Sequence, residues 1–159
     1  MTAETPALRT FDIVVVDGGI PSIALAMAMA LGAIGPQPVA AVAVGFDDTG
    51  LREWLAHRLP FPLWLAESPP PGRVPPGFDA VGLTIRRRML GLGAGQRTPR
   101  DVHARIFLAR CEDDPGPAPK PPARWQGFHF PLHDRGWRRS RCRGFLEGCA
   151  PDRFPEIAP

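Results

Sequence analysis

The order of apolar and polar positions predicts a strand, a helix and a second strand at the start of the chain. Residues 11–16 are apolar and β-branched apart from one aspartate, as in a strand buried on both faces of a parallel sheet. Residues 20–33 are strong helix formers with almost no polar face, so we expect a helix covered on all sides. Residues 39–44 are typical of a second buried strand. The pattern therefore predicts an α/β fold with a Rossmann-like βαβ start and a right-handed crossover.

Shorter elements are indicated further along the chain. Residues 49–58 have helical spacing behind a Thr or Asp cap, and residues 85–90 predict a short helix with an arginine-rich exposed side. Residues 102–109 alternate between apolar and polar positions, which predicts an edge or half-buried strand. Beyond Cys111 only fragments are indicated, and residues 127–133 are the best candidate for a strand.

Two proline-rich patches interrupt this order. Seven prolines fall within residues 60–76 and six within residues 115–131. We therefore expect a partial α/β domain over residues 1–110 and a Pro/Arg-rich, irregular or fragmentary continuation over residues 111–159.

Composition narrows the classes of function. A chain of 159 residues is long enough for one domain with a core. The net charge is only +3, but residues 120–143 hold seven basic residues and one acid. A solvated arginine-rich surface is the favoured interpretation of that segment, and contact with nucleic acid or anionic lipid is the alternative. Three cysteines without a CxxC pair argue against a zinc site and a disulfide framework, and favour a reducing compartment.

Neither secretion nor membrane insertion is expected from the apolar pattern. The first ten residues lack the apolar run of a secretion signal. The apolar stretch over residues 20–44 is broken in the middle by glycines and prolines, which a strand, helix and strand explain better than a membrane helix.

The turn between the first predicted strand and helix carries the candidate ligand chemistry. A dinucleotide site needs small residues at G-x-G-x-x-G spacing there, so that the backbone approaches a pyrophosphate at the helix N-terminus. In this chain those three positions are Asp17, Gly19 and Ser22. The full set of candidate cofactor-binding residues is Asp17, Gly18, Gly19, Ile20, Pro21, Ser22 and, after the second strand, Asp47.

Two of these side chains raise specific expectations. The Asp17 carboxylate opposes an anionic ligand by about 1–4 kcal/mol at an effective dielectric constant of roughly 20–80. Asp47 is the candidate ligand of a ribose, and its alternative role is to cap the next helix.

Four segments resemble the FAD-dependent aromatic hydroxylases of ubiquinone biosynthesis. The sequence FDIVVVDGGIPSIALAMAMA at residues 11–30 is similar to the opening of that family. FDA at residues 78–80, followed by RRRMLGLGAG, resembles its second signature, in which a Phe-Asp-x-Arg segment leads into a helix ending in Leu-Gly. FHF with HDR at residues 128–135 and GFLE at residues 144–147 resemble the segments that come next.

The resemblance implies a partial FAD-binding domain, covering about the first two-fifths of such an enzyme. An intact relative is a flavoprotein monooxygenase that uses FAD, NAD(P)H and oxygen to hydroxylate a polyprenylated aromatic ring. For this chain we expect a cytoplasmic location, with peripheral association at the inner face of the membrane as the alternative. Val81 stands where the family has arginine, and the later Asp-Gly and Gly-Asp-Ala-Ala-His motifs do not occur. We therefore expect a truncated or degenerate monooxygenase with weak or no flavin binding, no catalytic residues of its own and no activity alone.

Three other interpretations follow from residues outside the turn. His129 and His133 are four positions apart, but Pro131 lies between them, so a metal site is not expected. The basic segment makes a non-enzymatic binding module for nucleic acid or anionic lipid the alternative function. Because the chain has no tyrosine and the resemblance fades after Gly95, a frame-disrupted gene product is a third hypothesis.

Overall fold

The computed structural model describes residues 8–67, 78–93 and 95–154. Within these ranges the chain forms five strands and five helices. In chain order they are β1 (Arg9–Val16), α1 (Ile20–Ala30), β2 (Ala40–Ala43), α2 (Thr49–Arg58), β3 (Leu63–Leu65), α3 (Ala80–Arg88), β4 (Val102–Phe107), β5 (Gln126–His129), α4 (Pro131–Asp134) and α5 (Arg139–Cys149).

The five strands form one parallel sheet. Their order is β3-β2-β1-β4-β5, and all four neighbouring pairs run parallel. In register, Val14 of β1 lies opposite Ala41 of β2 on one side and Phe107 of β4 on the other. The predicted α/β class and the adjacent parallel strands of the βαβ start are therefore confirmed. This order is the one found in doubly wound Rossmann-like sheets.

Helices cover both faces of the sheet. On one face, Val14 and Val16 of β1 belong to a buried cluster with residues of α1, α2 and α5. On the other face, Ile13 belongs to a second cluster that includes Ile85 of α3. Successive residues of β1 therefore face opposite layers, which explains why the strand is continuously apolar.

Helix α1 is buried on nearly all sides, as its sequence predicted. Every residue from Ser22 to Met29 is buried, because the helix lies between the sheet and α5. The small alanine side chains allow close approach of the neighbouring layers, and the flexible methionine side chains fill the remaining space. The helix ends at Ala30, three residues earlier than the predicted end at residue 33.

Two strands differ from the sequence prediction. Strand β3 lies inside the first proline-rich patch, where no strand was predicted, and residues 68–77 of that patch lie outside the described residues. Strand β4 has the alternation of buried and partly buried residues expected of the half-buried alternative, but it is not an edge strand, because β1 and β5 flank it. Its polar Arg105 is tolerated in the interior of the sheet because it forms a two-pronged ion pair with Asp12 of β1, at 2.5 and 2.9 Å.

The second half of the chain is more regular than predicted. Where the sequence indicated an irregular continuation over residues 111–159, β5, α4 and α5 add to the same sheet and core. The strand expected over residues 127–133 ends at His129, because Pro131 begins α4. In α5 the buried residues are Cys142 and Leu146, four positions apart on the helix face that meets α1. This narrow apolar stripe lies among arginines and glycines, so the pattern is weak in the sequence.

None of the described helices combines the length and the apolar character that crossing a bilayer requires.

Candidate functional site

The turn between β1 and α1 lies where the direction of strand connection reverses. Strands β2 and β3 extend the sheet on one side of β1, and β4 and β5 extend it on the other. At such a reversal, the loops after the two central strands separate and leave a crevice at the carboxyl edge of the sheet. A cavity of about 430 Å³ occupies this position, lined among others by Asp17, Ser22, Leu108, Arg110, Asp114 and Arg139. We call it the switch-point cavity.

The carboxylate of Asp17 is engaged within its own turn. Its Oδ1 accepts a hydrogen bond from the backbone N–H of Gly19 at 2.8 Å. The same oxygen lies 2.8 Å from the hydroxyl of Ser22, which donates to it, and that hydroxyl accepts from the Asp17 N–H at 3.1 Å. Gly18 turns the chain with a φ of 89°, a value that glycine adopts without strain. Asp17 and Ser22, the two departures from the G-x-G-x-x-G pattern, therefore bind each other.

This arrangement places a negative charge at the positive end of α1. The N-cap residue Gly19 has no side chain, and the first turn of α1 contains no acidic residue. An anion at a helix N-terminus is stabilised by the unpaired N–H groups and the helix dipole. Asp17 fulfils that role from two positions before the cap. Pro21, in the first turn, has no N–H to offer to a ligand.

Asp47 lies outside the switch-point cavity that Asp17 and Ser22 line. It is exposed and lines a separate cavity of about 340 Å³ together with Arg52 and Glu67. The residue before it, Phe46, is buried, and its ring lies 3.2 Å from the point that a Cβ on Gly18 would occupy. The alternative role expected of Asp47 was to cap α2. That cap is made by Asp48 instead, whose side chain accepts a hydrogen bond from the Leu51 N–H at 3.0 Å.

The opposite wall of the switch-point cavity contains residues that the sequence analysis missed. Asp114 Oδ1 lies 2.7 Å from Nη2 of Arg139, and Asp114 Oδ2 accepts from the Cys111 N–H at 2.8 Å. Burial opposes ionisation of Asp114, but these hydrogen bonds and the positive charge of Arg139 outweigh it and lower the pKa of the carboxyl. Arg110 donates to the carbonyl groups of Gly116 and Pro117. No local signal connects Asp114 with Arg139, because the contact joins a loop to a helix 25 residues later.

The second family-like segment has a structural role. Asp79 caps α3 by accepting from the Gly82 N–H at 2.9 Å, and its other oxygen accepts from Nε2 of Gln126 in β5 at 2.7 Å. Val81, at the position where the family has arginine, packs against the buried cluster beneath α3. These contacts hold α3 to the sheet and do not line the switch-point cavity.

Histidines and cysteines do not assemble a recognisable metal centre in the described part of the chain. No group of three or more His, Cys, Asp or Glu side chains converges there. The ring of His129 stacks on Phe107 with centroids 5.3 Å apart, whereas His133 belongs to α4.

Much of the basic segment is engaged in ion pairs. Arg138 lies 3.6 Å from Glu112, and Arg143 lies 3.1 Å from Glu147. Trp137 is buried against the core, with Arg141 over its ring at 4.6 Å. Stacking of a nucleic-acid base on this indole would therefore require local unfolding.

Comparisons of the chain with protein-family models, with curated proteins and with solved structures found no significant match. The function proposed below therefore rests on the geometry of the turn and on the resemblance of its residues.

Proposed function

We propose that the chain is a Rossmann-like domain related to the FAD-dependent hydroxylases of ubiquinone biosynthesis, in which the turn that would bind the flavin diphosphate has lost most of its affinity. The strand order and the glycine turn after β1 support the nucleotide-binding origin. The loss of affinity is inferred from the residues that now fill the turn.

One observation carries the proposal: the Asp17 carboxylate accepts the hydrogen bond of the Gly19 N–H. In a nucleotide-binding turn this is the kind of backbone donor that faces a phosphate. A diphosphate would have to displace the carboxylate from that donor and from Ser22, and then remain beside a like charge. At an effective dielectric constant of roughly 20–80, the repulsion amounts to about 1–4 kcal/mol, or about one to three decades of affinity.

The residues present do not fit FAD well. Besides the Asp17 charge, Pro21 removes a donor from the first turn of α1, and Phe46 packs over Gly18. Asp47, the candidate ribose ligand, lines a different cavity from Asp17. We therefore derive no hydroxylation step for this chain. Use of FAD, NAD(P)H and oxygen on a polyprenylated ring remains a property of intact relatives, and we propose that this chain has no monooxygenase activity alone.

The proposal is tested by titrating FAD into four proteins and measuring the quenching of flavin fluorescence. These are the wild type, Asp17→Asn, the double variant Asp17→Gly with Ser22→Gly, and Glu53→Gln. Asp17→Asn removes the charge and keeps an oxygen acceptor, whereas the double variant also removes both side chains. Glu53→Gln is the matched control, because it removes an exposed acid on α2 outside the turn.

We expect the wild type to be purified without bound flavin, and Asp17→Asn to gain about tenfold or more in affinity for FAD. The double variant should gain at least as much, and Glu53→Gln should behave as the wild type. Stoichiometric flavin in the purified wild type would contradict the loss of affinity. Equal, weak binding by all four proteins would contradict the nucleotide-binding origin of the turn.

The alternative function, a basic module for nucleic acid or anionic lipid, receives less support. Three arginines of the basic segment, Arg138, Arg139 and Arg143, are paired with acidic side chains. Absence of binding to duplex DNA or to phosphatidylserine vesicles at low salt would exclude it.

A further inference from the structure

Two cysteines from different parts of the chain meet beside the switch-point cavity. Cys111 follows β4 and Cys142 lies in α5, 31 residues later, and their sulfur atoms are 3.8 Å apart. Both side chains are fully buried, and both belong to the cluster that includes Leu132 and Leu146. The sulfurs are already in van der Waals contact, so a shift of about 2 Å would bring them to bonding distance.

We propose that Cys111 and Cys142 form a dithiol that oxidises reversibly to a disulfide and thereby ties the loop after β4 to α5. All three cysteines of the described chain are free thiols in this structure, which is the reduced form. The pairing depends on the fold, because the sequence contains no CxxC spacing.

The oxidant is a small disulfide such as oxidised glutathione. The thiolate of one cysteine attacks a sulfur of the small disulfide, which forms a mixed disulfide and releases one small thiolate. The thiolate of the second cysteine then attacks the protein sulfur of the mixed disulfide and releases the second small thiolate. The two protons lost by the cysteines end on the two released thiols, so one disulfide is reduced for each one formed.

Burial makes both thiols hard to ionise, because it raises the pKa of Cys111 and that of Cys142, the latter to about 12. Either sulfur can donate in the contact between them, so the first thiolate can form on either residue. Around the pair, the negative charge of Asp113 opposes ionisation and the positive charge of Arg139 supports it. Asp114 also opposes ionisation of Cys111. Oxidation of the folded protein is therefore slow at neutral pH, and it is accelerated by conditions that open the loop after β4.

The disulfide would fix one wall of the switch-point cavity. The backbone N–H of Cys111 holds Asp114, and Asp114 pairs with Arg139, three residues before Cys142 in α5. Oxidation therefore adds a covalent link between the two elements that Asp114 and Arg139 already join non-covalently. This inference does not depend on flavin binding.

Cys149 provides an internal control. It lies in the same helix as Cys142, is partly exposed, and has a pKa raised by burial. In Cys149→Ala, the proposed pair are the two cysteines that remain. In Cys142→Ala, the remaining cysteines are Cys111 and Cys149, so an intramolecular disulfide of Cys111 could form with Cys149 alone.

The experiment incubates each protein in a glutathione redox buffer, both as folded protein and during refolding from urea. Refolding exposes both thiols to the oxidant, so slow access cannot mask the equilibrium. Free thiols are counted, masses are measured, and disulfide-linked peptides are mapped.

For Cys149→Ala we expect loss of both thiols, a mass lower by two hydrogen atoms and a linked peptide pair that contains residues 111 and 142. Reductant should restore both thiols. The oxidised form should melt about 5–10 °C higher than the reduced form, because the bond closes a 31-residue loop. Cys142→Ala should form no intramolecular disulfide.

Retention of both thiols by refolded Cys149→Ala, or its recovery only as glutathione adducts, would overturn the proposal. A wild-type peptide map in which Cys149 is a partner would do the same.

Discussion

Replacing Gly82 with alanine tests how α3 is held on the sheet. A Cβ at this position would meet Oδ2 of Asp79 at a distance that real Cβ atoms do not show, and would lie 2.5 Å from Nε2 of Gln126. These two atoms are themselves joined by a hydrogen bond of 2.7 Å, and Gln126 is 4% exposed. Neither side chain can move away without losing this bond.

The magnitude follows from three contributions. Overpacking at a closely packed contact costs about 1–3 kcal/mol. Loss of the hydrogen bond from Gln126 to the Asp79 carboxylate costs about 1.5–3 kcal/mol. Replacing glycine with alanine inside a helix recovers about 1 kcal/mol. We expect Gly82→Ala to lower the free energy of unfolding by about 1.5–5 kcal/mol.

The same substitution in α5 serves as the control. A Cβ on Gly144 would meet nothing within 4 Å, so Gly144→Ala should raise the free energy of unfolding by about 0.5–1 kcal/mol. Urea denaturation followed by circular dichroism measures both variants against the wild type. If Gly82→Ala were as stable as the wild type, α3 would not start against β5 as described.

Two further predictions concern acidic side chains with defined partners. Asp48→Ala should lower the free energy of unfolding by about 1 kcal/mol in urea denaturation, because α2 loses its cap at the Leu51 N–H, whereas Glu53→Ala on the exposed side of α2 should change it little. The pKa of Asp114 is lower in the folded protein than its value of about 3.9 in the unfolded chain, so the ionised carboxylate stabilises the fold at pH values above about 3.9. This contribution is lost as the pH falls through the pKa of the folded protein. Between about pH 5 and pH 2, the urea midpoint of Asp114→Asn should therefore fall less than that of the wild type. If the urea midpoints of both proteins fell equally with pH, the ion pair with Arg139 would contribute nothing to stability.

The sequence predicted the elements whose signals are local. β1, α1 and β2 follow from unbroken apolar runs separated by glycine and proline, and α2 was predicted with its bounds at residues 49–58. The turn was located for the same reason, since its spacing after β1 is a local pattern. Repulsion of an anionic ligand by Asp17 stays a prediction from its charge, whereas its hydrogen bonds with Gly19 and Ser22 became visible only with the geometry of the turn.

The elements missed by the sequence analysis depend on distant partners. β3 is three residues long and is recognisable mainly through its pairing with β2. α5 has only a narrow buried stripe, which acquires meaning when α1 packs against it. The cavity wall formed by Asp114 and Arg139, and the contact of Cys111 with Cys142, join residues 25 and 31 positions apart. Such contacts leave no periodic signal in a single sequence.

A crystal structure of the wild type grown with excess FAD tests the central claim most directly. We predict that β1 lies between β2 and β4, and that Oδ1 of Asp17 accepts from the Gly19 N–H and from the Ser22 hydroxyl, with no diphosphate on the turn. A diphosphate oxygen that accepts from the Gly19 N–H, with the Asp17 side chain turned away, would contradict it.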